Sequence, residues 1–498
     1  MREVSVKLLT GFLALFLWCV GVASAAYHHM GESDAPRLTD VYPGKAGTKL
    51  DNCVLCHSGG SFVSLGKTVN LGSCQWCHYR YGYDGKGDIK ATLNRYGRDY
   101  RDNGRSEAAL KAIEGVDSDG DGYSNREEIA ANRYPGDSKD DPAKVTAPFR
   151  IYTKNMLQAM PQHSQFLLMN TSKSGDYYTE FSGVIVRDLL ENAGIDPGAT
   201  KITVYSPDGY SQGHPLEADN SEDPYVNGTY PPASYFYNSE ADRAVSSCGW
   251  CDYGAPGNAG RGHGDPISVK NGLRLLLALR ADGKDLSPGV LGQDNKLLKN
   301  GNGPFWVVAP QKKVGPPDQP SSNPARGKIW PYDFSLDHNA GYSTKCATII
   351  KVEPLPAGTT DIDVMEAGWK YIDQGKIVIY GALQGPRQIS PRDNATGVPW
   401  QPVTFRWEKS PSVEAGDIVS YRVEYSDKDP SQREWEVRVT PADASAMAAA
   451  SVSIVLKPGR RYWWRVGDLD KNGGSTMGPV NTFVTGRLSA GKGVKSGE

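Results

Sequence analysis

Two five-residue stretches carry side chains that can hold a metal centre: Cys53-Val54-Leu55-Cys56-His57 and Cys74-Gln75-Trp76-Cys77-His78. Cysteines three apart lie on one side of a helical turn, and a His directly after them sits beneath whatever the pair holds. Two thioethers and one axial imidazole are the attachment chemistry of c-type haem. Zinc competes by spacing, because the 17 residues between Cys56 and Cys74 also fit a four-cysteine zinc ribbon. A His after each pair is surplus to such a zinc site, so the pattern favours two haems close together in space.

Each iron then needs a sixth ligand. His28 and His29, in Tyr27-His28-His29-Met30, are the first choice, one per haem; Met30 is the weaker candidate. Bis-His ligation leaves no open position and suits electron transfer. The bland alternative is an exposed terminal His pair.

A second metal pattern follows. Asp117-Ser118-Asp119-Gly120-Asp121-Gly122-Tyr123-Ser124-Asn125-Arg126-Glu127-Glu128 matches a twelve-residue calcium loop. Asp117, Asp119 and Asp121 offer carboxylates at positions 1, 3 and 5, and Gly122 permits the turn at 6. Tyr123 offers its carbonyl, Asn125 stands at 9 and Glu128 can close the site bidentately. Helices are expected over 105–114 and 126–132. The alternative is an acidic solvated turn.

These residues need an exported scaffold. Arg2 and Lys7, the apolar run Leu8 to Val22, and Ala23-Ser24-Ala25 read as a signal peptide over 1–25. The run is short for a membrane anchor, and no later stretch is apolar enough to span, so no transmembrane segment is expected after cleavage. Cys19 leaves with the leader. Export sets an oxidising compartment, periplasmic or at the cell surface, where cysteines pair or are captured by a cofactor. A net charge of −2 gives no electrostatic case for nucleic acid.

Length predicts about three domains. The expected fold class is multidomain: a small α-rich diheme module with an EF-hand-like loop over 26–147, a mixed α+β domain over 148–388, a β-sandwich over 389–486 and a disordered tail over 487–498. In the middle, strands are expected at 165–169, 201–205, 273–280 and 305–309. A helix is expected over 184–193, closed by Gly194. Cys248-Gly249-Trp250-Cys251 lacks a following His and reads as a local disulfide. Cys346 reads as a buried thiol on a strand.

The order Gly183-Val184 to Ala193-Gly194, Val204 to Tyr210, Leu275 to Lys284 and Gly303-Pro304 to Pro310 resembles the sulfite-oxidase molybdopterin-binding fold. That family holds molybdenum through a Cys; here the loop reads Asn170-Thr171-Ser172-Lys173-Ser174-Gly175. The missing thiolate argues against molybdopterin. The two Cys-x-x-Cys-His motifs, the acidic loop and Gly301-Asn302-Gly303-Pro304 together resemble a bacterial diheme family named for a Gly-Glu-Gly-Pro motif, with Asn in place of Glu. That resemblance implies electron transfer without naming a substrate. At the C-terminus, Leu456-Lys457-Pro458-Gly459-Arg460-Arg461-Tyr462 resembles the tyrosine corner of fibronectin type III domains.

The expected function is therefore an exported, calcium-braced diheme cytochrome that passes electrons to redox proteins such as other multihaem cytochromes. The alternative is a molybdenum oxidoreductase draining electrons through its own haems.

Overall fold

A computed structural model describes residues 33–64, 67–71, 73–82, 86–171, 175–207, 210–219, 223–228, 230–231, 233–237, 256–290, 301–318, 335–362, 369–408, 410, 417–430, 435–442 and 449–487. The signal peptide, His28, His29, Met30, Cys248, Cys251 and the tail from 488 lie outside the described residues. So do the side chains of Cys74 and His78.

The chain is mostly β, with 34 % strand against 19 % helix, in several sheets. This corrects the expected fold class. In place of an α-rich module, residues 33–147 hold short helices joined by 3₁₀ turns and loops. They are α1 Asp34–Val41, α2 Ser73–Tyr81, α3 Arg95–Asp102, α4 Glu107–Ala112 and α5 Asn125–Ala130. Helices of two turns are marginal alone. Caps and packing hold these. Asn94 accepts from the Gly97 amide, and Ser106 from that of Ala109. Ser124 and Glu127 close a capping box. Leu38, Leu55, Tyr96, Leu110 and Ile129 form the local core beneath them.

The middle of the chain is likewise built on sheets. Strand Tyr177–Ile185 pairs with His163–Met169 on one side and Leu276–Ala281 on the other. A second sheet orders Phe149–Thr153, Lys376–Gly381, Ile349–Glu353, Lys201–Tyr205 and Ser211–Pro215. Only Ile349–Glu353 with Lys376–Gly381 is parallel among these pairs. Helix Val186–Ala193 buries Val186, Leu189, Leu190 and Ala193, the i, i+3, i+4, i+7 stripe of an amphipathic helix. Gly194 ends it at φ 81°, a conformation that favours glycine. The expected helical start at Val184 gives way to strand, because Val184 pairs with Leu277.

At the C-terminus a three-stranded sheet (Gln388–Ser390, Val403–Glu408, Ala449–Ile454) faces strands Glu436–Pro441, Ile418–Ser426, Arg461–Asp470 and Asn481–Thr485. Phe405, Trp407, Tyr421, Trp464 and Phe483 pack between them. The Tyr462 hydroxyl accepts from the Lys457 amide at 3.0 Å, the tyrosine-corner bond.

Buried ion pairs lock these parts together. Arg150 forks onto Asp468 at 2.9 and 2.8 Å where Phe149 meets Ser475. Lys49 is fully buried and donates to Asp140 at 2.7 Å and to Thr360 at 3.1 Å. Lys49 thus ties the segment leading into Cys53 to the middle sheets. No helix among the described residues is long and apolar enough to cross a membrane.

Candidate cofactor and metal sites

Cys53 opens a single 3₁₀ turn, Cys53–Leu55, and Cys56 closes it as the C-cap. Asn52 caps it by accepting from the Val54 amide at 2.9 Å. The His57 amide donates to the Cys53 carbonyl at 2.8 Å, which holds the imidazole next to the cysteine pair. All three side chains line a cavity of about 350 Å³, within the range of small-molecule sites. Leu38, Leu50, Leu55, Leu93 and Leu110 make its wall apolar.

The tautomer of His57 follows from Thr92. The Thr92 hydroxyl donates its one proton to the Ile89 carbonyl at 2.6 Å. Its contact with His57 Nδ1 at 2.7 Å is therefore one in which Nδ1–H donates. The lone pair is left on Nε2, the arrangement of a metal-binding imidazole oriented by its other nitrogen. Asn94 fixes the backbone from behind. Its Nδ2 donates to the carbonyls of Val54 and Leu55, and its amide to that of Cys56 at 2.9 Å. Sequence reading missed Thr92 and Asn94. An Asn directly before a helix is the one signal that could have singled out Asn94.

Charged groups are also on this cavity wall. Lys90, Arg101 and Arg105 line it; Arg101 is paired with Asp102 at 2.7 Å and Arg105 with Asp34 at 2.6 Å. Asp34 pairs with Arg105 and Arg37 and accepts from the Tyr100 hydroxyl at 2.9 Å. Burial works to raise its pKa, but the bonds from Arg105, Tyr100 and Arg37 hold it below the ordinary value. A depressed carboxylate stabilises the fold above its unfolded pKa and loses that contribution as pH falls through the folded value. Asp34→Asn is expected to lower stability most above about pH 4, and the two proteins to converge below it. Chemical denaturation of both across that range checks this; a constant gap at every pH counts against it.

The second motif lies on α2, which also holds Cys77 half-buried. The helix lies against the Cys53–Leu55 turn, so the backbones of the two motifs are neighbours. Gly60 permits this packing, since a Cβ there would meet the Trp76 ring at 2.5 Å. Arg80 stacks over Trp76 at 4.6 Å.

In the acidic loop, the carboxylates of Asp117, Asp119 and Asp121 converge within 4.8 Å. Gly120 and Gly122 take φ 83° and 100°, as the turn requires. Glu128 is completely buried, and neither carboxylate oxygen has a partner. One oxygen each of Asp119 and Asp121 is in the same condition. Burial, then Asp119, Asp121 and Asp117, push the Glu128 carboxyl up to about 9. Burial and Asp121 push Asp119 up to about 6. Buried unpaired carboxylates are costly, and a divalent cation among Asp117, Asp119 and Asp121 would offset the charge these three gather within 4.8 Å. The residues fit calcium. Asn125 differs from expectation: its amide donates to Ile113 and Ser118 and accepts from the Ser118 amide. It closes the loop instead of offering an oxygen to a cation.

Two other expectations shift. Cys346 is buried as anticipated but lies before its strand, at φ 52°. Asn170 is buried beside Asn339, and Ser172, Lys173 and Ser174 lie outside the described residues.

No family model matches the chain, and no curated protein matches it. Among solved structures, an α-L-rhamnosidase from Dictyoglumus thermophilum is 22 % identical over 20 % of this chain, with a TM-score of 0.17. This chain spans 12 % of that enzyme's length. The fibronectin type-III domain of human fibronectin type III domain containing protein 3 is 22 % identical, covering 24 % of this chain and 97 % of that one, with a TM-score of 0.16. The FN1-FN3 domains of chicken CNTN1 are 8 % identical, covering 69 % of this chain and 100 % of that one, again at 0.16.

Proposed function

We propose that the chain is an exported diheme c-type cytochrome, an electron carrier braced by calcium. The observation that carries this reading is the cavity wall that joins Cys53, Cys56 and His57, with His57 Nδ1 committed to Thr92. A bound haem supplies one-electron exchange at its iron. Cys53 and Cys56 anchor the cofactor covalently. His57 presents Nε2, and Thr92 keeps the ring from turning. The leucine wall excludes water, while Lys90 beside it offers a cation to a carboxylate of the cofactor. Cys74, Cys77 and His78 hold the second haem. His28 and His29 are the proposed distal ligands; they precede Asp34 and Ala35, which line the cavity. Asp117, Asp119, Asp121, the Tyr123 carbonyl and Glu128 hold calcium.

The C-terminal sandwich is read as a fibronectin type III-like docking module on the strength of its Tyr462 corner. Partners are redox proteins, including other multihaem cytochromes, in the periplasm or at the cell surface.

Zinc is the rival that the cysteine spacing admits. A pyridine haemochrome assay with metal analysis separates the two. Two haems and no zinc per chain are expected; zinc without haem overturns the reading.

A further inference from the structure

The acidic loop and the first Cys-x-x-Cys-His turn are held by the same helix. Arg95, the first residue of α3, donates from Nη1 to the Asp119 carbonyl at 2.8 Å. One turn on, Asp99 accepts from the Ser118 hydroxyl at 2.7 Å. Both links grip the loop itself, and Asp119 is also one of the carboxylates with an unpartnered buried oxygen. At the same end of α3, Asn94 bonds Val54, Leu55 and Cys56. The fit is tight: a Cβ on Gly97 would fall 2.3 Å from the Cys56 carbonyl oxygen. A polar cavity of about 220 Å³ is lined by Ser58, next to His57, and by Asn94, Arg95 and Asp119 among others.

We propose that Arg95 and Asn94 are positioning residues that make a cation in the acidic loop part of the first haem's environment. The inference rests on the haem and calcium reading above. Without a cation, the carboxylates of Asp117, Asp119 and Asp121 face one another within 4.8 Å, and neither Glu128 oxygen has a partner among the described residues. The loop is then free to shift its backbone. Arg95 holds that backbone by a single carbonyl, so α3 follows it. Asn94 passes the shift to the carbonyls under Cys53 and Cys56. Adding positive charge on this side favours the reduced, less positive state of a nearby haem.

The test is a redox titration of the purified holoprotein with calcium and with a chelator, read optically. One of the two midpoint potentials is expected to rise with calcium while the other stays. In Arg95→Met, calorimetry should still show calcium binding, but the rise should shrink; Arg95→Lys, which keeps a donor and the charge, should restore part of it. Identical potentials with and without calcium, in a wild-type protein that holds two haems and binds the ion, overturn the coupling and leave the haem reading standing. An undiminished rise in Arg95→Met overturns the role given to Arg95. A chain without haem overturns both. The wild-type comparison stands even if a variant does not fold.

Discussion

Arg150→Met is expected to destabilise the chain by about 3–5 kcal/mol, the usual cost of breaking a buried ion pair from one side. Arg150 is 3 % exposed and Asp468 2 %. The guanidinium also reaches Asp470 at 3.5 Å and Thr476 at 3.2 Å. Removing it leaves two buried carboxylates without their cation. Among the described residues Asp468 keeps neutral donors, Thr476 and Ser410. Because Arg150 lies on Phe149–Thr153 and its partners belong to the C-terminal sandwich, the loss should also uncouple the two parts. Guanidinium unfolding should move to lower concentration and broaden into two steps. Adding Asp468→Leu to Arg150→Met should recover part of the loss, since an apolar replacement of both partners removes the stranded charge. A loss under about 1 kcal/mol, the range of an exposed pair, would show that water reaches this joint.

Calcium removal is the second large effect. A ligand that binds only the folded chain stabilises it by ~2.7 kcal/mol when present at about 100 times its dissociation constant. Thermal unfolding should therefore shift downward when a chelator replaces calcium. Glu128→Gln should abolish that difference, because the buried bidentate oxygens come from Glu128 alone among the described ligands. Asn125→Ala should behave otherwise. It should lower stability with and without calcium alike, since its amide closes the loop through Ile113 and Ser118. Equal unfolding temperatures with calcium and with chelator in the parent would contradict the calcium assignment.

What could be read in advance follows from how far apart the cooperating residues lie in sequence. The acidic loop is a contiguous twelve-residue pattern, and its glycines take the positive φ that the turn demands. Helix Val186–Ala193 shows its buried stripe within two turns, and Tyr462 reaches Lys457 across five residues. Long-range contacts left no such mark. Thr92 acts on His57 from 35 residues away, Lys49 meets Asp140 across 91, and Arg150 meets Asp468 across 318. The α-rich reading of residues 26–147 failed because the cysteine turns and the helices expected around the acidic loop are short, Cys53–Leu55, Glu107–Ala112 and Asn125–Ala130. Gly82 and Gly104, at φ 79° and 95°, follow the ends of α2 and α3. The partners of the Asn125 amide, Ile113 and Ser118, were not legible because a position in a motif does not say which way an amide turns.

The account stands or falls on what is bonded to Cys53 and Cys56. Proteolysis of the purified holoprotein, followed by mass spectrometry of the peptide containing residues 53–57, tests it most directly. That peptide is expected to carry one haem, joined through both sulfurs. In Cys53→Ala with Cys56→Ala, the first haem should be lost while the peptide containing Cys74 and Cys77 keeps its own. An unmodified peptide from the wild-type protein, with both thiols reactive, would contradict the central claim.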